Sequence, residues 1–511
     1  MGVAIVGDVG ARRWWGLGAL ALSALAIGLD LTVLNVALPT LATQLHADTA
    51  GLQWIANGYT LVLAAVLLPA GLLGDRLGRK RLMIGALVVF GVASAGCAYA
   101  STTGQLIAAR ALLGLGGAFL LPLCLSMVSV LFTADERQRA LTVFLTANAI
   151  GIPLGPLVGG WLLDHFWWGS VFLINVPMVV IALAAVALLL PESRSAVPPT
   201  LDLPSVLLSS VGLVAFTYGV IRAGQHGWGE ALTLTTLLGG AAVLTAFVLR
   251  QRGRTRRGTG ALIDLALFRS ASFSWGTALA TMTSFGMFGV LFTVPQYFQA
   301  VGGADALGTG LRLLPVIGGL LVGARVASRF AARIGAKITV AVGFAVQAGG
   351  LMLGATTEVT SGEAFSATWL ALVGVGLGFA MPTTMDAALG ELSPEHSGVG
   401  SALIQALRQV GGAIGVALLG TVLSATYRNG LDLTGVPATA ADTVRDSAAG
   451  GIAVAHRLGS TPLLDSVRGA FTNGMDVMLW VCGGVSVLGV AFALAFLPVR
   501  AARAEPEPAV V

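Results

Sequence analysis

The chain has 511 residues, of which 56% are hydrophobic and only 10% are charged, with a formal net charge of +5 at pH 7. Soluble domains carry about 25% charged residues, because their surface has to face water. This composition excludes a soluble globular protein and indicates a surface that faces lipid, where the 69 glycines allow close packing of helices.

Apolar runs of spanning length, about 20 residues each, recur along the whole chain. The first begins after Arg12 and Arg13, as a secretion signal would. It is longer than the core of a cleaved signal and many runs follow it, so we interpret it as an uncleaved first helix. The pattern predicts an all-α integral membrane protein of about fourteen transmembrane helices, at Trp14–Leu38, Trp54–Leu73, Leu82–Ala100, Leu106–Phe132, Ala140–Leu163, Val171–Leu190, Ser205–Ile221, Ala231–Leu249, Phe273–Tyr297, Leu307–Phe330, Ile338–Ala355, Ala367–Leu389, Val399–Leu423 and Val477–Leu497.

The basic residues predict the orientation. With the N-terminus inside, the inner segments hold most of them, including the runs Arg76–Arg81 and Arg250–Arg257. The outer segments hold only Arg222, Arg428, Arg445, Arg457 and Arg468. Because basic loops stay in the cytoplasm, we predict both termini there. The run Arg250–Arg257 could also be read as a nucleic-acid patch, but its place between two spans favours contact with anionic lipid, and we expect no nucleic-acid partner.

The longest polar loop, residues 427–472, lies on the outer side. Its apolar positions Val444, Ile452, Ala455 and Leu458 have the spacing of a short amphipathic helix. We predict a helix that lies on the membrane surface.

The chain shows signs of internal doubling, because the loop Gly71–Arg81 has a weaker echo between Gly319 and Lys337. We predict three parts: a six-helix bundle at 1–195, two inserted helices with a basic cytoplasmic loop at 196–270, and a second six-helix bundle at 271–511. Paired halves are typical of transporters whose site lies at their interface, near the middle of the membrane.

Charges inside spans cost about 2.5–3.5 kcal/mol on insertion scales and usually face a cavity or a partner. Asp30 and Arg110 lie at compatible depths in the outer halves of the first and fourth spans. Burial and a neighbouring cation act on a carboxylate in opposite directions. We therefore predict a buried pair that binds and releases protons, with a purely structural ion pair as the alternative.

Other charges within or beside spans are less clear. Asp386, near the inner end of the twelfth span, either attracts a cationic substrate, carries a second proton or extends to the interface. Arg408 lies in the middle of the thirteenth span. Arg312 and Asp476 lie close to the outer surface, which favours structural roles.

The loop after the second span combines glycines that permit close approach with an aspartate that can cap a helix. With its arginines it is predicted to latch two helices and release them; a simple turn with a topology signal is the alternative. The residues are Gly71, Gly74, Asp75, Arg76, Gly78 and Arg79.

In the fifth span, Gly151, Gly155 and Gly159 recur every four residues and form one smooth face for another helix. Pro153 and Pro156 remove two helical hydrogen bonds and bend the segment. These features suit a moving interface, although packing alone would also explain them.

Aromatic residues in or beside the second and ninth spans could line a pocket for flat cations. Such residues more often face lipid or form interfacial belts. They are Trp54, Tyr59, Phe285, Phe288 and Tyr297.

The sequence does not indicate an enzyme. Its three cysteines lie in apolar runs without paired spacing, and its five histidines fall in predicted loops far apart. We recognise no P-loop or nucleotide-binding domain. We therefore expect no catalytic residue, no metal and no cofactor, with protons as the coupling ion.

Several of these motifs together resemble the major facilitator superfamily, specifically its fourteen-helix drug:proton antiporter branch. The resemblance covers nearly the whole chain. Leu113 stands where that branch often has glutamine. The matching segments are Gly28–Pro39, Gly71–Arg81, Arg110–Gly116, Gly151–Gly160, Phe172–Pro177 and Arg408–Gly415.

The resemblance implies two six-helix bundles with alternating access in a bacterial plasma membrane. It implies proton coupling by Asp30 and Arg110, a latch at Asp75, Arg76 and Arg79, and a functional acid at Asp386. We expect export of small lipophilic, cationic drugs or antibiotics by a monomer surrounded by lipid. The candidate substrate-binding residues are Asp30, Asn35, Tyr59, Phe285, Phe288, Asp386 and Arg408. The alternatives are a narrow exporter of one endogenous antibiotic or metabolite, and a membrane sensor or scaffold that transports nothing.

Overall fold

The computed structural model describes residues 6–194, 202–257, 265–390 and 394–498, and this part of the chain is all-α. It contains 14 stretches long and apolar enough to cross a membrane, which confirms the predicted number of spans. The helices are α1 Val6–Gln44, α2 Thr49–Leu77, α3 Arg79–Ala98, α4 Thr103–Leu131, α5 Ala134–His165, α6 Ser170–Leu173, α7 Asn175–Leu189, α8 Leu203–His226, α9 Ala231–Arg257, α10 Ala271–Ala300, α11 Ala306–Arg312, α12 Leu314–Ile334, α13 Ala336–Gly354, α14 Glu363–Leu389, α15 Pro394–Gly430, α16 Ala438–Asp446, α17 Ala448–Leu458 and α18 Thr461–Phe496.

Two predicted spans are broken helices. The sixth consists of α6 and α7, which meet at Ile174, and the tenth consists of α11 and α12, which meet at Leu313. Pro177 and Pro315 lie in the first turn of α7 and α12. A proline lacks the N–H that would bond to the preceding turn, so it is tolerated just after such a break but not within a continuous helix.

The helices before and after the inserted pair form two groups. In the first, α1 packs against α5 and α7, and α4 packs against α2 and α3. In the second, α14 packs against α12 and α13, and α10 packs against α14, α15 and α18. We call inner and outer the two sides that the arginine distribution assigns.

The inserted helices lie over the seam between the groups. Helix α8 packs against both α2 and α15. Thr421 Oγ1 of α15 donates to the Val220 carbonyl at 3.0 Å, and Gln225 Nε2 donates to Asp48 Oδ2 at 2.6 Å. Helix α9 packs mainly against α8. The inserted pair therefore lies beside the two groups and does not separate them, since α2 still packs against α15.

The basic run at the inner end of α9 is partly neutralised. Arg250 and Arg254 lie 2.8 and 3.0 Å from the Asp202 carboxylate. Burial acts to raise the pKa of Asp202, but hydrogen bonds from Arg250 and Ser205, together with the charge of Arg254, hold this pKa below its ordinary value. Asp202 therefore joins the start of α8 to the end of α9.

The outer loop differs from its prediction. The structure has two helices there, α16 and α17, in which Val444 and Ala455 are buried against the protein, Ile452 is half-buried and Leu458 is exposed. Tyr427 Oη donates to the Val444 carbonyl at 2.7 Å. Helix α18 also begins at Thr461, well before the predicted Val477, because its outer end packs against α17.

The two groups are in contact at their outer ends. The Asp164 carboxylate of α5 accepts hydrogen bonds from the Ala306 and Leu307 amides of α11, at 3.1 and 2.9 Å. Gln299 Nε2 of α10 donates to the Val36 carbonyl of α1 at 2.8 Å. The outer side of the molecule is therefore closed above the predicted site.

Candidate functional site

Asp30 on α1 and Arg110 on α4 form a buried ion pair. Arg110 Nη1 lies 2.7 Å from Asp30 Oδ2, and the exposed fractions of the two side chains are 2% for Arg110 and 0% for Asp30. Gly114, one turn after Arg110, lets α4 lie close against α2, since a Cβ there would overlap with the backbone of Tyr59. The contact that the depths of the two charges predicted is confirmed.

Aromatic rings and a carbonyl surround the guanidinium of this pair. Arg110 Cζ lies 4.6 Å from the centroid of the Tyr59 ring and 6.0 Å from that of Phe172. Arg110 Nε donates to the Ile55 carbonyl at 3.4 Å. Aromatic faces attract cations most strongly where water is excluded, so these contacts hold the charge of Arg110 in place beside Asp30.

The other carboxylate oxygen of Asp30 has a partner that sequence reasoning did not select. Asn175 Nδ2, in the first turn of α7, donates to Asp30 Oδ1 and to Ser94 Oγ of α3, each at 3.2 Å. Asn175 and Ser94 are both fully buried. Asn175 lies within the segment Phe172–Pro177, which carries part of the family resemblance, but the sequence does not reveal that Asn175 and Ser94 meet at Asp30.

Two more buried polar side chains of α2 have unused hydrogen-bonding groups, and the ring of one of them, Tyr59, lies against Arg110. The Tyr59 hydroxyl and both side-chain polar atoms of Asn57 are buried without a hydrogen-bond partner among the described residues. Buried polar groups are usually paired. The site therefore has spare hydrogen-bonding capacity next to Arg110.

The other aromatic candidates contact residues of α8, of α15 and of the chain that follows α13. Phe285 and Phe288 are half-buried on α10 and pack against Gly415 and Gly412 of α15. Trp54 packs against Tyr218 of α8, with ring centroids 6.1 Å apart. The Tyr297 hydroxyl donates to the Glu358 carbonyl at 3.3 Å. Phe285 and Tyr297 belong to one hydrophobic cluster, and Phe288 and Trp54 belong to two others.

Arg408 and Asp386 lie apart from the buried pair. Arg408 donates to Ser284 Oγ at 3.1 Å and to Gln405 Oε1 at 3.2 Å, both neutral acceptors. Asp386 is exposed, three residues before the inner end of α14. Asn35 is buried on α1, next to the Val36 carbonyl that binds Gln299.

The turn between α2 and α3 is bonded to the segment that follows α7. Asp75 pairs with Arg79 at 2.8 Å, and the Arg79 amide donates to the Ser193 carbonyl at 2.8 Å. Gly78 has φ +112°, and a Cβ there would lie 2.9 Å from Glu192 Oε1, so only glycine fits. Arg76 is exposed and Gly71 half-buried. Among the described residues, these bonds join elements of the first group.

The glycine face of α5 packs on α1, which confirms the predicted helix contact. A Cβ at Gly151 would lie 2.7 Å from the Leu25 carbonyl oxygen, and Cβ atoms at Gly155 and Gly159 would contact Thr32 and Val33. Thr32 Oγ1 donates to the Ile152 carbonyl at 2.9 Å. That carbonyl lacks its helical donor because Pro156 has no N–H; Pro153 removes another bond one turn earlier.

Comparisons with known proteins agree with this architecture. The model of the Major Facilitator Superfamily matches residues 20–416. The chain is 32% identical to the tetracenomycin C resistance and export protein of Streptomyces glaucescens, covering 94% of this chain and 91% of that protein. It is 34% identical to the multidrug efflux pump LfrA of Mycolicibacterium smegmatis, covering 94% and 96%.

The fold is also similar to that of a solved structure, a bacterial homologue of the human lysosomal transporter Spinster. The TM-score is 0.68 at 15% identity, and the match covers 96% of this chain and 99% of that one. The family model spans most of the chain, and the two relatives extend over nearly all of it. This protein is a multi-pass membrane transporter that belongs to the Major Facilitator Superfamily.

Proposed function

We propose that this protein is a proton-coupled antiporter that exports small lipophilic, cationic drugs or antibiotics from the cytoplasm by alternating access. It would work as a monomer in a bacterial plasma membrane, with both termini in the cytoplasm. The observation that carries the proposal is the Asp30–Arg110 pair, a titratable carboxylate that is 0% exposed inside a membrane helix. Ionisable groups at such positions are costly and mark proton or substrate pathways.

The pair supplies a physical link between proton uptake and movement. Ionised Asp30 holds Arg110 at 2.7 Å and thereby holds α1 against α4. A proton on Asp30 removes the attraction between unit charges, which is strong where the effective dielectric is low. Arg110 is then free to change partners, and Tyr59, whose ring lies against it, has an unpaired hydroxyl.

Alternating access requires the outer contacts between the two groups to break. Those from Asp164 to α11 and from Gln299 to α1 are hydrogen bonds at exposed or half-buried positions. The smooth contact of α5 with α1 lets the two helices shift without crossing bulky side chains. Asp386, exposed at the inner end of α14, would attract cations from the cytoplasm.

The test is transport by the purified protein in liposomes under an imposed pH gradient, with a panel of fluorescent lipophilic cations. The Asp30→Asn variant keeps an acceptor oxygen for Arg110 but cannot bind a proton as a carboxylate does. We expect gradient-driven flux in the parent and loss of its pH dependence in the variant. Asp476→Asn, which neutralises a half-buried carboxylate of α18, is the matched control. Equal gradient-driven flux in parent and Asp30→Asn would overturn the assignment.

A second candidate is a narrow exporter of one endogenous antibiotic that carries no positive charge. Arg408 favours this candidate. Its guanidinium donates to the neutral groups of Ser284 and Gln405, which do not cancel its charge, and that charge would repel a cationic substrate. One relative is described as an export protein for tetracenomycin C. Asp386→Asn separates the two: it should weaken export of a cation and spare export of a neutral compound.

A further inference from the structure

The two oxygens of the Asp30 carboxylate face different kinds of partner. Oδ2 faces the Arg110 guanidinium at 2.7 Å, and Oδ1 faces the Asn175 amide at 3.2 Å. Arginine is only a donor, whereas an asparagine side chain has a donating NH2 and an accepting carbonyl. A proton on Oδ2 would point at a donor, so proton uptake without rearrangement of Arg110 has to occur on Oδ1.

When Asp30 is ionised, the NH2 group of the Asn175 amide donates hydrogen bonds, while its carbonyl oxygen accepts none from the described residues. Its NH2 group donates to Asp30 Oδ1 and to Ser94 Oγ, each at 3.2 Å. Its Oδ1 is buried and has no hydrogen-bond partner among the described residues. A buried amide carbonyl without a partner is destabilising, because it has lost its hydrogen bonds to water.

Turning the amide by half a turn produces the complementary set of bonds. The Asn175 carbonyl then accepts from the new O–H of Asp30 and from the Ser94 hydroxyl, which is itself both donor and acceptor. The NH2 group moves to the place where the carbonyl was unpartnered, so one end of the amide is unpartnered in either state.

We propose that Asn175 is the positioning residue that accommodates both protonation states of Asp30, by turning its amide when Asp30 takes up a proton. The inference rests on the proposed function, since it needs Asp30 to be the proton carrier. The proton binds Oδ1 and the carboxylate becomes a neutral acid; no other bond is made or broken except hydrogen bonds. Through Asn175 and Ser94, protonation of Asp30 on α1 thereby affects α7 and α3.

Asn175 lies where a rotation of its amide can alter the packing of several helices. It lies in the first turn of α7, directly after the break at Ile174 that separates α7 from α6. Helix α7 packs against both α1 and α3. A rearranged amide at this break alters the contact that joins the three helices at the level of the proton site.

The experiment is a pH titration of the full-length protein followed by infrared difference spectroscopy, with asparagine amides isotopically labelled. We expect the carbonyl band of a protonated carboxylic acid to appear with falling pH in the parent and not in Asp30→Asn. An asparagine amide band should change with the same midpoint in the parent and should stay constant in Asp30→Asn. This comparison needs no substitution at Asn175.

Asn175→Leu supplies the second measurement, with Asn148→Leu as the matched control, since Asn148 donates to the Ala24 carbonyl and not to Asp30. Hydrogen bonds to charged groups are stronger than those to neutral ones. Removing Asn175 should therefore move the midpoint of the acid band by about one pH unit toward alkaline pH. Asn148→Leu should leave it unchanged.

Several results would overturn the inference. They are an acid band that titrates without any change in the asparagine amide, a parent-like midpoint in Asn175→Leu, and the absence of any titrating acid band that depends on Asp30. Liposome flux on the same samples separates the two proposals. Coupled infrared changes without flux would support the role of Asn175 while contradicting proton antiport, and gradient-driven flux without an Asp30 band would move the proton carrier elsewhere.

Discussion

Arg110 Nη1 lies 2.7 Å from Asp30 Oδ2, with both side chains withdrawn almost completely from solvent. By contrast, the Asp75–Arg79 pair at the inner end of α2 is partly exposed. A surface pair contributes little because water screens it. In a buried pair, each charge depends on the other, and the loss of one leaves an uncompensated charge inside the protein.

The first prediction concerns this dependence. Arg110→Gln leaves the Asp30 carboxylate without its cation, and the double variant Asp30→Asn/Arg110→Gln leaves two neutral amides. Breaking a buried pair costs about 3–5 kcal/mol, whereas replacing both partners is nearly neutral. We expect a lower melting temperature in detergent for Arg110→Gln than for the double variant. A double variant that melts at or below Arg110→Gln would show that the pair does not behave as a coupled unit.

The second prediction concerns the closed outer side. Asp164→Ala removes the acceptor of the Ala306 and Leu307 amides. Since Asp164 is exposed, we expect a loss of about 1 kcal/mol, which shifts the population of outer-closed molecules about fivefold. Spin labels at Phe166→Cys and Leu311→Cys, both exposed positions, should report a longer or broader distance.

The three native cysteines are buried and should not compete for the label. Asp164→Asn keeps one acceptor oxygen and should give an intermediate distance distribution. If Asp164→Ala and the parent have the same distribution, the outer contact does not stabilise the closed state.

The third prediction concerns the contact between α5 and α1. Gly155→Ala places a methyl group against Thr32, whereas Gly18→Ala on α1 meets no atom within 4 Å. Both changes replace glycine by alanine within a helix and raise helix propensity equally. The difference between their melting temperatures therefore reports the effect on packing. Overpacking costs about 1–3 kcal/mol, and Thr32 would also lose its bond to Ile152. We expect a lower melting temperature for Gly155→Ala only; equal melting would contradict this close contact.

The fourth prediction is a pH dependence of the outer helices. Partial burial and the nearby carboxylate of Asp48 raise the pKa of Asp446 above its ordinary value; Arg428 opposes this and Asp442 adds to it. Thr49 Oγ1 of α2 donates to the Asp446 carbonyl at 2.9 Å, so α16 is docked on the first group there. The docked state holds the Asp446 proton more tightly than the undocked state does. Docking therefore strengthens as pH falls through the raised pKa and weakens above it.

Deuterium uptake of residues 438–458, corrected for intrinsic exchange, measures this docking. We expect more protection at mildly acid than at neutral pH in the parent. In Asp446→Asn, protection should be high at both pH values. Asp442→Asn, on the same helix and exposed, removes only the smallest of these contributions to the pKa of Asp446 and should keep most of the parent's pH dependence. If the pH dependence of protection persists in Asp446→Asn, a titratable group other than Asp446 causes it.

Much of the architecture was predictable because a membrane imposes few solutions. Backbone groups in lipid have to be bonded within a helix, so run length alone identified the spans. The glycine spacing of α5 likewise predicted its smooth face. The outer loop is helical as predicted, but its amphipathic pattern identified an apolar face and not whether lipid or protein covers it, and the protein covers Val444 and Ala455 while Leu458 is exposed.

The sequence by itself determined that the protein lies in a membrane, how many helices cross it, and that Asp30 and Arg110 share a depth. It could do so because hydropathy and helical rise are local properties of the chain. Only the tertiary structure decided that Asn175 and Ser94 meet at Asp30, that Tyr59 lies against Arg110 and that Asp164 reaches across to α11. These contacts join residues far apart in sequence, and their geometry depends on how the helices pack together.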